Sequence, residues 1–336
     1  MSKKLLSFLV GFTVLLVVSG CSAPAQSQSS APADAVSIQL SWTYDYSTSP
    51  FLAAEKNGHF KEQNLEVTMH EGGFGENGYI EPIQQVVDGS SNFGLTSASN
   101  LLLAREQGQP VVAIAAIMQR SPLAVISLTD KNITKPQDLA GHTVLVADGG
   151  ASQLYNTFLS TQGIDPSTVN TQPRTSFGIE PLLNGETDAL VAWVINEGIE
   201  IQEAGKTANY VLLSDYGIDT YDYLIFTSED MIANHPDQVD RFVKAVLAGL
   251  DDVIADPEKG AQLAVEISPE LNLEGQQARL EASLPLFHPA GTQLGMMDDE
   301  VWQFTQQVLL DQKVMAKPVD LKAAYTLQFV QNIVSK

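Results

Sequence analysis

The chain has 336 residues, 44% of them hydrophobic, and carries 40 Asp and Glu against 18 Lys and Arg, for a formal net charge of −22. This length and composition fit one large or two ordinary globular domains and exclude a disordered chain. The acidic balance argues against nucleic-acid binding, because phosphate contacts need clustered Lys and Arg, and a single Cys excludes a disulfide framework and a Cys-based metal cluster.

The N-terminus has the pattern of an export signal over residues 1–20. Two Lys precede the apolar stretch Leu5–Val18, which has signal-peptide rather than membrane-spanning length. The stretch ends in Val-Ser-Gly-Cys, which resembles the bacterial lipobox and implies lipidation of Cys21. Residues 21–35 are small and polar, as in a flexible tether. We therefore expect an extracytoplasmic lipoprotein anchored to the bacterial cell membrane through its lipid alone.

The body of the chain alternates short apolar segments with longer periodic ones, which predicts an α/β fold. The predicted strands are Val36–Leu40, Leu65–Met69, Asn92–Thr96, His142–Ala147 and Ala189–Val194. The predicted helices are Pro50–Gly58, Glu81–Asp88 and Ser152–Gln162, the last opening after Gly149 and Gly150. The final hundred residues are predicted to be mostly helical and to wrap the first lobe. Apolar residues between Val239 and Ile254 recur there at amphipathic spacing.

One internal similarity indicates two lobes of similar build. Val87–Leu95 and Leu183–Val191 both predict a helix end, a Gly cap, a polar pair and a buried strand. A Gly after the last helical turn suits a left-handed cap, and Asn92 or Asp188 then completes a tight turn into the strand. The alternative is that any α/β chain repeats this turn.

Motifs of common enzymes are absent from the sequence. It contains no G-x-S-x-G, H-E-x-x-H or G-x-x-x-x-G-K-[ST] motif, and its five His lack metal-ligand spacing. Gly73–Gly78 fits G-x-G-x-x-G, but no acidic residue follows near Ala98–Asn100, where a dinucleotide site needs one for the ribose. We interpret this motif as a Gly-rich loop that enters the predicted Glu81–Asp88 helix. We predict no catalytic residues, no metal and no cofactor.

Aromatic residues with polar neighbours follow two of the predicted strands. Trp42, Tyr44 and Tyr46 come after the first strand, and Trp193 precedes Asn196 and Glu197 at the end of a later one. In α/β sheets, ligands bind at the carboxyl ends of strands, and aromatic faces stack rings. These residues predict a cleft for a flat, partly polar ligand. The alternative is that either Trp only fills a core.

Several segments together resemble a known family of solute-binding proteins. They are Leu40–Trp42, Phe51–Phe60, Gly108–Val111, Ala115–Pro122 and Ser214–Asp219. The family serves importers of thiamine-pyrimidine precursors, riboflavin and aliphatic sulfonates. The resemblance implies a two-lobed periplasmic-binding-protein fold of type II, with the ligand cleft between the lobes. Its two crossover strands are expected near Ser121–Leu128 and Tyr221–Thr227. Residues 36–122 plus 226–336 would form lobe I, and residues 123–225 lobe II.

The same resemblance implies a set of ligand-binding residues. Lobe I would contribute Trp42, Tyr44, Tyr46, Ser97 and Gln119, and lobe II would contribute Ser152, Tyr155, Trp193, Asn196 and Glu197. Glu197 could accept a hydrogen bond from an exocyclic amine or a ring N–H, and its charge would disfavour anions. The Tyr-Asp-Tyr sequence after Trp42 departs from the small or His-type residue usual in the family, which leaves the ligand open.

We therefore expect a monomeric substrate-binding component of an ABC importer. It would capture a small aromatic heterocycle, riboflavin or a thiamine pyrimidine precursor, and deliver it unchanged to a permease with its ATPase. One alternative is a sulfonate, nitrate or taurine-type anion-binding protein. A second is an enzyme of pyrimidine synthesis, since the family resembles a fungal synthase whose Cys-rich segment this chain lacks. A third is a surface interaction module.

Overall fold

The structure is a computed structural model that describes residues 32–75, 78–147, 150–175 and 178–334. The predicted signal segment 1–20, the lipidation position Cys21 and most of the predicted tether lie outside the described residues. Gly149, one of the two Gly before the predicted Ser152–Gln162 helix, also lies outside them.

Strands and helices alternate through the first two thirds of the described residues, and helices dominate the last third. The strands are β1 Asp34–Gln39, β2 Leu65–His70, β3 Phe74–Gly75, β4 Gly78–Tyr79, β5 Phe93–Thr96, β6 Val111–Met118, β7 Leu123–Leu128, β8 Thr143–Val146, β9 Asn170–Pro173, β10 Ala189–Trp193, β11 Ala208–Leu212 and β12 Tyr223–Ser228. The helices are α1 Ser49–Lys56, α2 His59–Glu62, α3 Pro82–Val87, α4 Ala98–Glu106, α5 Gly150–Thr161, α6 Glu180–Leu183, α7 Glu197–Glu203, α8 Glu229–Asn234, α9 Pro236–Ala255, α10 Pro257–Ile267, α11 Leu273–Phe287, α12 Asp299–Asp311, α13 Leu321–Ala324 and α14 Gln328–Val334. The alternation confirms the predicted α/β class.

The strands form two five-stranded mixed sheets, one in each lobe. The first sheet has the order β2-β1-β5-β12-β6 and the second β11-β7-β10-β8-β9. In the first sheet β1 is parallel to β2 and β5, whereas β12 is antiparallel to its neighbours. In the second sheet β8, β9 and β10 are parallel, and β7 is antiparallel. The short strands β3 and β4 form a separate hairpin.

The predicted similarity between the turns after α3 and α6 is confirmed, and in each turn a polar side chain joins two strands. Gly89 after α3 and Gly185 after α6 both have positive φ angles, of 81° and 73°. The Asn92 side chain then accepts a hydrogen bond from the backbone N–H of Ser37 at 2.8 Å. Asp188 accepts one from the backbone N–H of Thr143 at 2.9 Å. Each polar side chain therefore ties its own strand, β5 or β10, to the neighbouring parallel strand of the same sheet.

The predicted amphipathic segment lies in α9 and covers the first sheet. Its Val239, Phe242, Val243 and Val246 are buried, and the Phe242 ring stacks on Phe93 of β5 with centroids 3.9 Å apart. Burial of such a stripe removes apolar surface from water and fixes the helix on the sheet.

Two connections join the sheets. Gln119–Pro122 leads from β6 to β7, and Leu213–Asp222 leads from β11 to β12. The predicted crossover segments coincide with β7 and β12. β12 pairs with the first sheet from Tyr223 onward, so the chain passes from the second sheet to the first within Leu213–Asp222. The residue borders predicted for the two lobes stay predictions.

The C-terminal helices contact both lobes, whereas they were expected to wrap the first. Arg279 of α11 forms an ion pair with Glu203 of α7 at 3.3 Å. Val308 of α12 lies in the hydrophobic core beside the second sheet. Among the residues that the structure describes, no helix combines the length and the apolar character needed to cross a membrane.

Candidate functional site

The carboxyl edges of the two sheets are joined by a direct hydrogen bond. The chain leaves β1 through Trp42 and Tyr46, and it leaves β10 through Asn196. The Tyr46 hydroxyl donates a hydrogen bond to Asn196 Oδ1 at 2.8 Å. In parallel α/β sheets this edge is where ligands bind, because loops and helix N-termini converge there. The contact therefore brings together two of the predicted site residues, one from each lobe.

Tyr46 is held rigidly in this position. Its side chain is buried, and its backbone N–H donates to Gln276 Oε1 of α11 at 2.7 Å. Burial raises the pKa of Tyr46 well above its usual value, so the phenol stays protonated and remains a hydrogen-bond donor.

A polar network continues from Tyr46 to the second connection between the lobes. Asp45 caps the short helical turn at Tyr46–Thr48 and accepts from Ser47 Oγ at 2.6 Å. Ser47 Oγ lies 3.2 Å from the hydroxyl of Tyr223, the first residue of β12. Burial raises the pKa of Asp45, and the hydrogen bonds from Ser47 partly offset that shift. The network supplies several oriented polar groups beside the lobe border.

The two predicted Trp residues differ in their surroundings. Trp42 is 46% exposed, so it is not core filler. Trp193 is half-buried and packs against the hydrophobic cores of both lobes. An indole that touches both cores lies at the lobe border and responds to any change in their separation.

Glu197 is not an isolated negative charge. Its Oε1 lies 2.8 Å from a terminal guanidinium nitrogen of Arg174, and the two side chains are only 11% and 4% exposed. The same nitrogen donates to the carbonyl of Gly178 at 3.0 Å. The predicted repulsion of anions by Glu197 is therefore reduced, because a buried guanidinium balances its charge.

The other predicted residues lie in different settings. Tyr44 is half-buried and donates from its hydroxyl to the carbonyl of Met69. Ser97 caps α4 at the carboxyl end of β5, and Gln119 is buried with its Nε2 donating to the carbonyl of Gln293 at 2.5 Å. Ser152 is half-buried on α5.

Tyr155 was expected to contact a ligand at the lobe border, and its surroundings do not suit that role. Its side chain is fully buried among the apolar residues beside the second sheet, so it presents no surface at the lobe border. Helical spacing explains the placement, because Tyr155 shares the inward face of α5 with Leu154, Phe158 and Leu159. The roles of all these residues stay predictions.

Sequence reasoning missed Arg174, Asp45, Ser47 and Tyr223. Arg174 follows β9 directly, so a search for charged residues at the carboxyl ends of strands would have found it. Its pairing with Glu197 spans 23 residues of chain and carries no local signal. Among the described residues there is no group of three or more His, Cys, Asp or Glu placed to hold a metal ion.

Comparison with known proteins gives one family and several relatives. The family described as NMT1/THI5 like matches residues 46–260. The riboflavin-binding protein RibY of Chloroflexus aurantiacus is 26% identical over 347 residues, with 97% of this chain and 98% of the relative covered. The formylaminopyrimidine-binding protein of Halalkalibacterium halodurans is 27% identical, with 90% and 91% covered.

More distant relatives include an enzyme and a solved structure. A 4-amino-5-hydroxymethyl-2-methylpyrimidine phosphate synthase of Legionella pneumophila is 20% identical, with 88% of this chain and 92% of the relative covered. The periplasmic aliphatic sulphonate binding protein SsuA of Escherichia coli superposes with a TM-score of 0.67 at 13% identity, covering 88% of this chain and 92% of that one. The structural likeness confirms the two-lobed periplasmic-binding-protein fold.

Proposed function

This chain belongs to the NMT1/THI5-like family, and from that premise we propose that it is the substrate-binding component of an ABC importer for a small aromatic heterocycle. Riboflavin or a thiamine pyrimidine precursor is the proposed ligand. The observation that carries the proposal is the meeting of the two carboxyl edges at Tyr46 and Asn196. Trp42 precedes Tyr46 by four residues, and Trp193 precedes Asn196 by three and packs against the cores of both lobes. The relatives named as riboflavin-binding and formylaminopyrimidine-binding proteins support the same ligand class.

The site suits stacking with a few oriented hydrogen bonds. Aromatic pairs contribute about 0.5–1.5 kcal/mol beyond their buried area, and a micromolar Kd requires about −8 kcal/mol in total. Two indoles and the polar groups of Tyr46, Asn196 and Asp45 can supply interactions of this size. A ligand that touches both lobes stabilises the closed arrangement, which a permease can then distinguish from the open one.

We propose binding without chemical change. Relatives named as synthases exist in the family, but the one Cys of this chain stands at the predicted lipidation position, so a Cys-rich catalytic segment is absent from its sequence. Incubation of the protein with riboflavin or formylaminopyrimidine and iron should leave the masses of ligand and protein unchanged. Turnover, or loss of mass from a side chain, would contradict this proposal.

We also propose that the protein works outside the cytoplasm as a lipid-anchored monomer that delivers its ligand to a permease and its ATPase. The proposal rests on the signal pattern, on the lipobox resemblance at Cys21 and on relatives named as binding proteins. Cys21→Ser should release the protein from the membrane fraction without a change in ligand affinity. A variant that stays in the membrane fraction would rule out the anchor.

One observation favours a second candidate function, the binding of a sulfonate-type anion. Arg174 places a guanidinium at the carboxyl edge of the second sheet, and guanidinium groups bind oxyanions through paired donors. In this structure Glu197 accepts from that guanidinium, so an anion would have to compete with the carboxylate. Glu197→Gln should therefore raise the affinity for small sulfonates if this second candidate is correct.

A thermal-shift screen of the mature protein decides between the two candidates. Ligands that bind only the folded state raise the Tm. Riboflavin or formylaminopyrimidine should raise it, whereas taurine and alkanesulfonates should not. A shift with sulfonates alone would replace the proposed function with the second candidate.

A further inference from the structure

The Gly-rich segment that sequence reasoning treated as a simple loop forms a hairpin pinned to the end of β1. Gly72 donates its N–H to the carbonyl of Trp42 at 3.0 Å, and Ile80 closes the hairpin base by donating to the carbonyl of Gly73 at 2.8 Å. A Cβ atom at Gly72 would lie 2.2 Å from the carbonyl oxygen of Leu40, a distance that backbone atoms cannot accommodate. Only Gly therefore allows this close approach, which sets the hairpin beside Trp42.

The hairpin presents two aromatic rings next to Trp42. Phe74 meets the Trp42 ring edge to face, with centroids 6.0 Å apart and planes at 86°. Tyr79 also meets Phe74 edge to face, with centroids 5.7 Å apart and planes at 67°. We call Trp42, Phe74 and Tyr79 the aromatic trio.

The trio is unusually open to solvent for residues of this size. Trp42 is 46% exposed, Phe74 73% and Tyr79 45%. Exposed clusters of large apolar side chains mark binding surfaces in soluble proteins more often than scattered single residues do. The trio therefore forms a preformed aromatic surface rather than part of the core.

Polar contacts link the trio to the candidate site. The Tyr79 hydroxyl donates to the carbonyl of Ser41 at 3.0 Å, which fixes its ring at the end of β1. Ser41 and Tyr79 also lie near Tyr223, whose hydroxyl is 3.2 Å from Ser47 Oγ. Ser47 adjoins Tyr46, the residue that contacts the second lobe. A chain of polar contacts thus connects the trio to Tyr46 at the lobe border.

Resting on the proposed function, we infer that Phe74 and Tyr79 form with Trp42 a second aromatic subsite for a fused-ring ligand such as a flavin. The ring nearest Asn196 would lie between the lobes, and the far end of the same planar system would contact Phe74. A single-ring pyrimidine would occupy the first position alone.

The chemistry of the surroundings favours a neutral planar occupant over a second copy of the chain. The net charge of −22 makes two copies repel each other. The trio offers ring faces and edges but no cation of its own, which suits uncharged aromatic rings that stack within about 4.5–7 Å of a neighbouring centroid.

Calorimetric titration of the full-length protein and of Phe74→Ala with riboflavin and with formylaminopyrimidine tests the inference. Phe74→Ala should weaken riboflavin binding about tenfold and change formylaminopyrimidine binding less than about twofold. Phe74→Tyr, which keeps the ring, should retain wild-type affinity for both. Ile267→Ala removes a similarly exposed apolar side chain, 52% exposed on α10, and should change neither affinity.

The other outcomes separate this inference from the proposed function. A wild-type protein that binds formylaminopyrimidine but not riboflavin overturns the inference and leaves the proposed function standing. So does Phe74→Ala that binds riboflavin normally, or that weakens both ligands equally. Self-association that disappears in Phe74→Ala, measured by analytical ultracentrifugation, would show that a second copy occupies the surface and would also overturn it. If the wild-type protein binds no aromatic heterocycle, both the inference and the proposed function are wrong.

Discussion

The two carboxyl edges that meet at the lobe border differ in the exposure and the charge of their side chains. The first-lobe edge presents exposed aromatic rings, with Trp42 at 46% and Phe74 at 73% exposure. The second-lobe edge has the Arg174–Glu197 ion pair, whose side chains are 4% and 11% exposed. One edge is available for stacking before any ligand arrives. The other is a buried ion pair, whose guanidinium also donates to the carbonyl of Gly178.

Because of this difference, substitutions at the two edges should affect different quantities, namely ligand affinity at the first edge and the stability of the fold at the second. Removing an exposed ring takes away contact area for a ligand and leaves the fold nearly unchanged. Removing one partner of a buried ion pair leaves the other charge without compensation in a medium of low polarity. Substitutions on the first edge should therefore act on binding, and substitutions on the second edge should act first on the free energy of unfolding.

The largest effect is expected from Arg174→Ala, because it leaves the buried Glu197 carboxylate without its charge partner. The free energy of unfolding should fall by about 3–5 kcal/mol, measured by urea denaturation. Lys56→Ala is the matched control, since Lys56 pairs with Glu266 at 2.9 Å with both side chains more than half exposed. That control should change stability by less than about 1 kcal/mol. Equal effects of the two substitutions would contradict the distinction between the edges.

The connection between the edges should give the protein a pH-dependent stability. Asp222 has a buried Oδ2 without a hydrogen-bond partner among the described residues. Burial raises its pKa from 3.8 to about 7, and the neighbouring Asp219 carboxylate adds to the shift. A raised carboxyl pKa means that the folded state binds the proton more tightly than the unfolded state. Stability should fall as pH rises from about 4 to about 7 and then level off.

Asp222→Asn isolates this contribution, because the amide stays neutral. Relative to the variant, the wild type should lose up to about 4 kcal/mol between pH 4 and pH 7.5, from about 1.36 kcal/mol for each pKa unit. Urea denaturation of both proteins across that range measures the difference. Parallel stability profiles would show that Asp222 titrates normally in the folded state.

A smaller effect is expected from Tyr46→Phe, which removes the hydrogen bond across the lobe border but keeps the ring. A net hydrogen bond is worth about 0.5–1.5 kcal/mol, so ligand affinity should weaken roughly two- to tenfold. Tyr210→Phe is the matched control, because its hydroxyl donates to the carbonyl of Gly198 within the second lobe at 3.4 Å and Tyr210 is not among the predicted site residues. Titration of both variants should show a loss for Tyr46→Phe alone. Equal losses would mean that closure does not depend on the Asn196 contact.

The smallest effect is expected from loss of the ion pair between α11 and α7. Arg279→Ala removes the ion pair between α11 and α7, whose Arg279 and Glu203 side chains are 14% and 38% exposed. Partly solvated ion pairs contribute less than about 1 kcal/mol, so the substitution should weaken ligand binding two- to threefold at low salt. High salt screens the pair, so the wild type and the variant should then bind with nearly equal affinity. Calorimetry at low and high ionic strength measures that ratio. A tenfold loss of ligand affinity would show that this ion pair, and not the aromatic rings, contributes most of the free energy of lobe closure.

Local patterns in the sequence predicted the α/β class and part of its elements. The turns at Gly89 and Gly185, the amphipathic face of α9 and the strands β1, β2, β5, β8 and β10 follow from spacing within single segments, whereas β7 and β12 were expected only from the family resemblance. The same reasoning identified Trp42, Tyr46 and Asn196, since all three lie near the carboxyl ends of predicted strands.

Side-chain partners that are distant in sequence could not be predicted in this way. Trp42 meets Phe74 across 32 residues of chain, and Tyr46 meets Gln276 across 230. Tertiary packing fixes such pairs, and the alternation of apolar and polar residues carries no information about them. Tyr155 shows the opposite case, in which helical spacing already placed the ring on the inward face of α5.

Titration of riboflavin and formylaminopyrimidine into the wild type and Trp42→Ala tests the central claim most directly. If the lobes trap an aromatic ring between their carboxyl edges, the wild type binds at least one of the two ligands with a Kd near or below micromolar. Trp42→Ala should then weaken that binding about 10- to 100-fold with no change in urea stability beyond about 0.5 kcal/mol. Undiminished affinity in Trp42→Ala, or no binding of either ligand by the wild type, would contradict it.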